Sequence, residues 1–206
     1  HADKHAMYYL GPDEILLATD GGLYRTEDGF QTWSDVDRIP NTQFYRIASN
    51  PHVSGMVLGG AQDNGTSIGY LGQPDEDWLR FWGGDGFTPI VDPVDETLFY
   101  TTTQYGNFYY IYSDLENFSD WYNLEDGLVE DERVNWDAPF IMDPANNEVL
   151  YTGTDRVYRM DGAPFGIWQP ISPVLVSEDE TFYDKRNIST LSVSPQNADV
   201  VYAGTT

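Results

Sequence analysis

The sequence predicts an all-β chain made by repeating one small antiparallel sheet, and three observations predict it. Short apolar runs alternate with turn signals: Ile15-Leu16-Leu17 is followed by Thr19-Asp20-Gly21-Gly22 and then Leu23-Tyr24-Arg25, which reads as a hairpin. The prolines that follow each unit's first strand, Pro51, Pro93, Pro144 and Pro195, set a period of 42 to 51 residues, in the range of propeller blades. Second strands align as well, LLATD at 16–20, LYTGTD at 150–155 and VYAGT at 201–205, and no helical pattern interrupts them. The fold class that follows is a β-propeller of four-stranded antiparallel blades, about four of them with part of a fifth.

Taken in order, the blades fall at about 1–40, 41–86, 87–135, 136–186 and 187–206, the last incomplete. The first opens with the alternating strand HADKHAMYYL and continues through the hairpin. The second runs from Thr42–Pro51 through Met56–Ala61, the turn Gln62-Asp63-Asn64-Gly65-Thr66, the strand Ser67–Tyr70, an acidic loop Asp75-Glu76-Asp77, Trp78–Trp82 and Gly83-Gly84-Asp85-Gly86. The third joins Phe87–Pro93, Thr97–Thr102 and Asn107–Tyr112 to a turn ending at Trp121. The fourth joins Ala138–Pro144, Val149–Thr154 and Arg156–Arg159 to a turn ending at Trp168. The fifth has Leu191–Pro195 and Val200–Thr205. The chain starts at His1 without Met and stops where the next Asp-Gly-Gly turn would come, so it is expected to be an excerpt of a larger ring.

One twisted sheet cannot bury both its faces alone, so each unit must pack on its neighbours through large side chains. That accounts for most of the 15% aromatic content, including the alternation of Phe108, Tyr110 and Tyr112 with Tyr109 and Ile111, and for Trp33, Trp121 and Trp168 as turn-closing residues. With no Cys, there is neither a disulfide framework nor a thiolate metal site. No apolar run approaches the roughly 20 residues of a membrane span, and no signal peptide is visible. The formal net charge of −24 repels polyanions and so argues against nucleic acid and anionic membranes as partners. Two readings of that acidity stay open: a solvated surface, or loop carboxylates that hold a divalent cation through oxygen ligands.

Thr26-Glu27-Asp28-Gly29-Phe30-Gln31-Thr32-Trp33 places a Thr, an Asp, a Thr and a Trp at fixed offsets. An Asp there can accept hydrogen bonds from turn amides while the Trp packs between sheets. The segment resembles the Asp-box of the bacterial neuraminidase-type repeat, found in sialidases, sortilin-type receptors and two-propeller xyloglucanases. The match lies in Thr26, Asp28, Thr32 and Trp33, and Phe30 stands where the pattern has its second Gly. In that superfamily the box is a structural turn on the outer rim of a blade, so the resemblance implies a fold rather than a reaction. The elements from His1 to Trp33, with Gly60–Thr66, Gly83–Phe87 and Asn135–Phe140, also look like a group of bacterial secreted repeat proteins. From this an extracellular or cell-surface location is expected.

Candidate functional residues are few. His1, Asp3 and His5 sit at i, i+2 and i+4 of a strand and could converge on one point as a metal site. Asp20, Asp63 and Asp85 each stand beside glycines, where they either accept turn hydrogen bonds or meet a ligand; Asp63 and Asp85 are the catalytic candidates and Asp20 a ligand-binding one. Trp78 and Trp82 flank a less regular segment and are the stacking candidates. Arg38-Ile39-Pro40 copies an element of sialidases, but it follows the box instead of preceding it. With eight arginines in the chain and no arginine triad, sialidase activity is not expected. Phosphate-binding loops and nucleophile elbows are absent. Three functions remain: a glycan- or protein-binding propeller, a xyloglucanase-like glycoside hydrolase with paired carboxylates, or a sortilin-like receptor or assembly factor that binds peptides. No cofactor is assigned beyond that divalent cation, and oligomeric state is left open.

Overall fold

The computed structural model describes residues 1, 3–36, 42–72, 78–130, 132–176 and 187–206, and the chain divides into two compact units, His1–Gln43 and Phe44–Thr206. Arg38-Ile39-Pro40 and Asp75-Glu76-Asp77 lie outside the described residues.

The first unit holds one four-stranded antiparallel sheet in the order β1 (Lys4–Tyr9), β2 (Ile15–Thr19), β3 (Gly22–Thr26) and β4 (Ser34–Asp35). Ile15 and Leu17 are buried and Leu16 between them is half-buried, the two-residue period of a strand. The β2–β3 hairpin closes with Thr19 opposite Gly22, whose φ of 124° is open to a residue without Cβ.

The second unit contains three more four-stranded sheets and a two-stranded one, all antiparallel. Sheet two runs β5 (Arg46–Ser49), β6 (Met56–Ala61), β7 (Gly65–Tyr70), β8 (Leu79–Trp82). Sheet three is β9 (Ile90–Val91), β10 (Leu98–Thr103), β11 (Asn107–Tyr112), β12 (Asp120–Asn123), and sheet four is β13 (Phe140–Asp143), β14 (Asn146–Gly153), β15 (Val157–Asp161), β16 (Gln169–Pro170). Strands β17 (Ile188–Ser194) and β18 (Asn197–Thr205) pair as the fifth sheet. Sequence neighbours are sheet neighbours throughout, an up-and-down meander. A 3-10 turn, Gln104–Gly106, joins β10 to β11, and no helix among the described residues is long and apolar enough to cross a membrane.

Because successive side chains leave opposite faces of a strand, a sheet buried on both sides needs apolar residues at every position. Sheet three shows this. Phe99 and Ile111 pack with Met56, Leu58 and Ile68 of sheet two. Their neighbours Leu98, Tyr100, Phe108 and Tyr110 pack the other way, with Phe140, Leu150, Tyr158 and Met160 of sheet four. Sheet four repeats the arrangement: Val149, Tyr151 and Val157 meet Ile188, Leu191 and Val193 of the fifth sheet. Each fully buried side chain of this size contributes about 1.5–3 kcal/mol.

The prolines that set the sequence period mark a shared turn. Proline has no N–H, and the residue before it caps the amides beyond. Asn50 Oδ1 accepts the N–H groups of His52 and Val53 at 2.8 and 3.1 Å, and Asp92 Oδ1 those of Val94 and Asp95 at 2.8 and 2.9 Å. Asp143 Oδ1 takes Ala145 N–H at 2.8 Å, and Ser194 Oγ takes Gln196 N–H at 3.4 Å.

The three tryptophans read as turn-closing do not behave alike. Trp168 is buried and donates its indole N–H to the Leu124 carbonyl at 2.7 Å. Trp121 lies within β12, opposite Ile111, and half its surface is exposed; pairing with β11, not the preceding turn, sets its place. Trp33 packs edge-on against Phe30, ring centroids 5.9 Å apart.

Candidate functional site

In the second unit the β6–β7 and β10–β11 turns and the loops entering β9 and β13 are joined at one end of the sheets. Their backbones interlock. Gly86 N–H bonds the Ala61 carbonyl at 3.0 Å and Phe87 N–H the Thr102 carbonyl at 3.1 Å, so the loop after β8 is hydrogen-bonded to both sheet two and sheet three. A Cβ on Gly60 would stand 2.1 Å from the Phe87 carbonyl oxygen, and one on Gly86 2.2 Å from that of Gly65. Only glycine permits backbones that close, which is why Gly60–Thr66 and Gly83–Phe87 occur together in this sequence. Further along, Tyr105 N–H bonds the Trp136 carbonyl at 3.0 Å, and Asn135 Nδ2 donates to Asn187 Oδ1 at 2.9 Å.

At the centre is an aromatic trio. Phe87 is fully buried, with Tyr45 at 5.4 Å and Trp136 at 4.8 Å between ring centroids; Tyr45 and Trp136 stand edge to face at 5.5 Å. Tyr45 remains 39% exposed and donates its hydroxyl proton to Gln62 Oε1 at 2.7 Å. Next in sequence, Arg46 reaches the Asp137 carboxylate, and its other terminal nitrogen donates to the Tyr45 carbonyl at 3.0 Å. Burial pushes the Asp137 carboxyl above its ordinary value, and the Arg46 charge and hydrogen bond oppose that shift. Asp137 is fixed by its own N–H, which bonds Asn135 Oδ1 at 3.0 Å. Tyr105, held at φ 62°, is 65% exposed beside this group. Aromatic faces next to a charged pair and an amide make a surface that can stack a ligand and orient its polar groups.

Asp63 and Asp85 fall within this loop system. Asp85 Oδ1 accepts the N–H of Asp63 at 2.8 Å, and the N–H of Asp85 bonds Gln104 Oε1 at 3.1 Å. Asp63 takes φ 60°, the left-handed conformation that Asp tolerates better than most residues. Trp78 is exposed on one side and lies 5.1 Å from Phe44, where its ring fills the space that a Cβ on Gly69 would need. Trp82 is half-buried in a second aromatic group, 4.6 Å from Tyr109 and 5.2 Å from Trp121. Sequence reasoning did not single out Tyr45, Arg46 or Tyr105. Trp136 and Asp137 it noted only within Asn135–Phe140.

The first unit holds the remaining candidates. His5 Nε2 lies 2.5 Å from Asp20 Oδ1, and Asp20 N–H bonds the Asp3 carbonyl at 3.3 Å. The register slips between Lys4 and Ala6, a bulge at His5. Carboxylate oxygens of Asp3 and Asp20 lie within 4.8 Å of one another, and the His1 ring lies over Gly21, within 2.0 Å of where a Cβ on that glycine would stand. In the Thr26–Trp33 turn, Asp28 Oδ1 accepts the Thr26 hydroxyl at 2.9 Å and the N–H groups of Gln31 and Thr32 at 3.0 and 2.9 Å, while Oδ2 accepts the Thr32 hydroxyl at 2.6 Å. These bonds, the two from Thr32 foremost, hold the Asp28 carboxyl down at about 2. Phe30 adopts φ 72°, the conformation for which a glycine would be chosen.

No protein-family model and no curated protein matches this chain. Solved structures do. An ancestral GH74 enzyme is 15% identical over 98% of this chain and 27% of its own length, with a TM-score of 0.58. The GH74 xyloglucanase from Xanthomonas campestris is 13% identical over 93% of this chain and 33% of its own, with a TM-score of 0.53. The chain thus spans about a quarter to a third of the length of these structures. At such identities the likeness carries the architecture alone, and with the four-stranded antiparallel sheets it makes this chain a β-propeller.

Proposed function

We propose that this chain belongs to a secreted or cell-surface Asp-box propeller, with blades at about 1–40, 41–86, 87–135, 136–186 and 187–206, whose loop face binds a glycan or protein ligand. One observation carries the choice of binding over catalysis. Asp85 is engaged by the Asp63 amide and Asp137 by Arg46, so both carboxylates hold loops in place. Beside them Tyr45 and Tyr105 offer exposed ring faces, and an aromatic face with neighbouring amide and charged groups suits a sugar ring or a side chain. Xyloglucanase-like hydrolysis is the second reading. It is favoured by Asp137, because a carboxyl raised by burial suits a general acid, but it needs a second carboxylate about 5–9.5 Å away.

A glycan array, run in parallel with a reducing-end assay on β-glucan polymers, separates the two. Binding that weakens about tenfold in Tyr45→Ala or Tyr105→Ala, with no reducing ends released, is the expected result. Release of reducing ends, lost in Asp137→Asn, would replace the binding reading with the hydrolase. Protease accessibility of the protein on intact cells tests the location.

A further inference from the structure

The turn between β15 and β16 and the end of β12 line a cavity of about 190 Å³ that shares no residue with the aromatic trio or the Arg46–Asp137 pair of the loop face. That is smaller than the roughly 300–1,000 Å³ of small-molecule sites, and suits a single side chain. Tyr110, Met160, Pro164 and Phe165 form its apolar wall, with Asn123 and Asp126 at the polar side. Tyr110 is held from behind by Tyr122, stacked at 5.0 Å, and meets Phe165 edge to face at 6.0 Å. Phe165 is 74% exposed and forms the outer rim. The backbone carbonyl of Asp126 is fixed by Trp168 N–H at 2.9 Å. Its carboxylate has no hydrogen bond or ion pair among the described residues. Arg159 of β15 is engaged by Asp161 at 2.7 Å and lies over the Tyr151 ring, on the face of β15 opposite Met160.

The charge of the whole chain, −24, favours a cationic occupant and disfavours an anionic one. We infer that this pocket takes one arginine or lysine side chain from a basic segment of a partner protein. The aliphatic stem lies along Phe165 and Tyr110, and the charged head meets Asp126 and the ring faces. This site is separate from the loop face, so either can fail without the other.

The test is an NMR titration of the protein with acetyl-Gly-Arg-Gly-amide and with the same peptide carrying citrulline, which keeps the shape and removes the charge. The arginine peptide should bind about two- to fivefold tighter, with shifts centred on Asn123, Asp126 and Phe165. Asp126→Asn should abolish that preference and Phe165→Ala should weaken both peptides, whereas Tyr45→Ala should change neither. Both rim residues are exposed, so these variants keep the fold. Equal binding of the two peptides would overturn the inference. A preference that survives Asp126→Asn would do so as well, because it would trace the attraction to the acidic surface at large. So would displacement by methyl β-glucoside, which would make the pocket a sugar site.

Discussion

The carboxylate of Asp85 accepts the backbone N–H of Asp63 at 2.8 Å, tying the loop that leaves β8 to the turn that leaves β6. Asp85→Ala removes the acceptor from a partly buried amide and should destabilise the protein by about 1–2 kcal/mol in urea unfolding. Asp85→Asn keeps an acceptor oxygen and should lose less than half of that. If the alanine variant unfolds at the wild-type urea concentration, the bond does not hold the turn.

Asp28 sets an acid limb of stability. Its carboxyl titrates at about 2 in the folded protein, against about 3.9 unfolded. The folded value is the lower one, so the stabilisation is present above about pH 4 and disappears as pH falls toward 2. Amide exchange at Gln31 and Thr32 should accelerate over that interval. Asp28→Asn, with no charge to lose, should exchange at a rate insensitive to pH once the intrinsic chemistry is divided out.

Phe30 occupies φ 72° and packs on Trp33. The left-handed backbone costs a non-glycine residue roughly 1 kcal/mol, and the edge-to-face ring pair returns about as much. Phe30→Gly should therefore lie within about 1 kcal/mol of the parent protein in equilibrium unfolding. Phe30→Ile, β-branched in the same conformation and without the ring, should fall below it by about 2 kcal/mol. Equal stabilities of the glycine and isoleucine variants would show that the turn does not impose this conformation.

Glu132 is nearly buried, with 7% of its side chain exposed. Arg156 Nε lies 2.7 Å from one of its oxygens, and the hydroxyls of Thr154 and Tyr158 donate to the other. Glu132→Gln leaves Arg156 without its charge partner and should cost about 2–3 kcal/mol, below the full cost for a buried pair because Arg156 keeps some solvent contact. Burial first, and then Glu132, pushes the Tyr158 phenol up to about 12. In Glu132→Gln its ultraviolet titration should move back toward 10, and a titration that stayed in place would exclude Glu132 as a cause.

The strands and turns were legible because each is written locally. Alternation along Phe108-Tyr109-Tyr110-Ile111 specifies a strand buried on two faces, and the prolines after Asn50, Asp92, Asp143 and Ser194 mark turns capped by the residue before them. The metal trio shows how far that logic reaches. Alternation along His1, Asp3 and His5 does not foresee that the register slips at His5 or that this ring meets Asp20 at the end of β2. Trp121 and Trp168 read alike in sequence, yet the first pairs within a strand and the second fills the core beneath sheets three and four.

From its residues alone this chain determined a repeated antiparallel sheet, since strand period and the turn chemistry of Gly, Pro, Asp and Asn act over a few residues at a time. Tertiary structure decided which loop side chains meet. Arg46 and Asp137 stand 91 positions apart in sequence and are joined only because sheets two, three and four pack side by side. No local pattern records such a pair, because its energy depends on the spacing between sheets, which the packed aromatic side chains set.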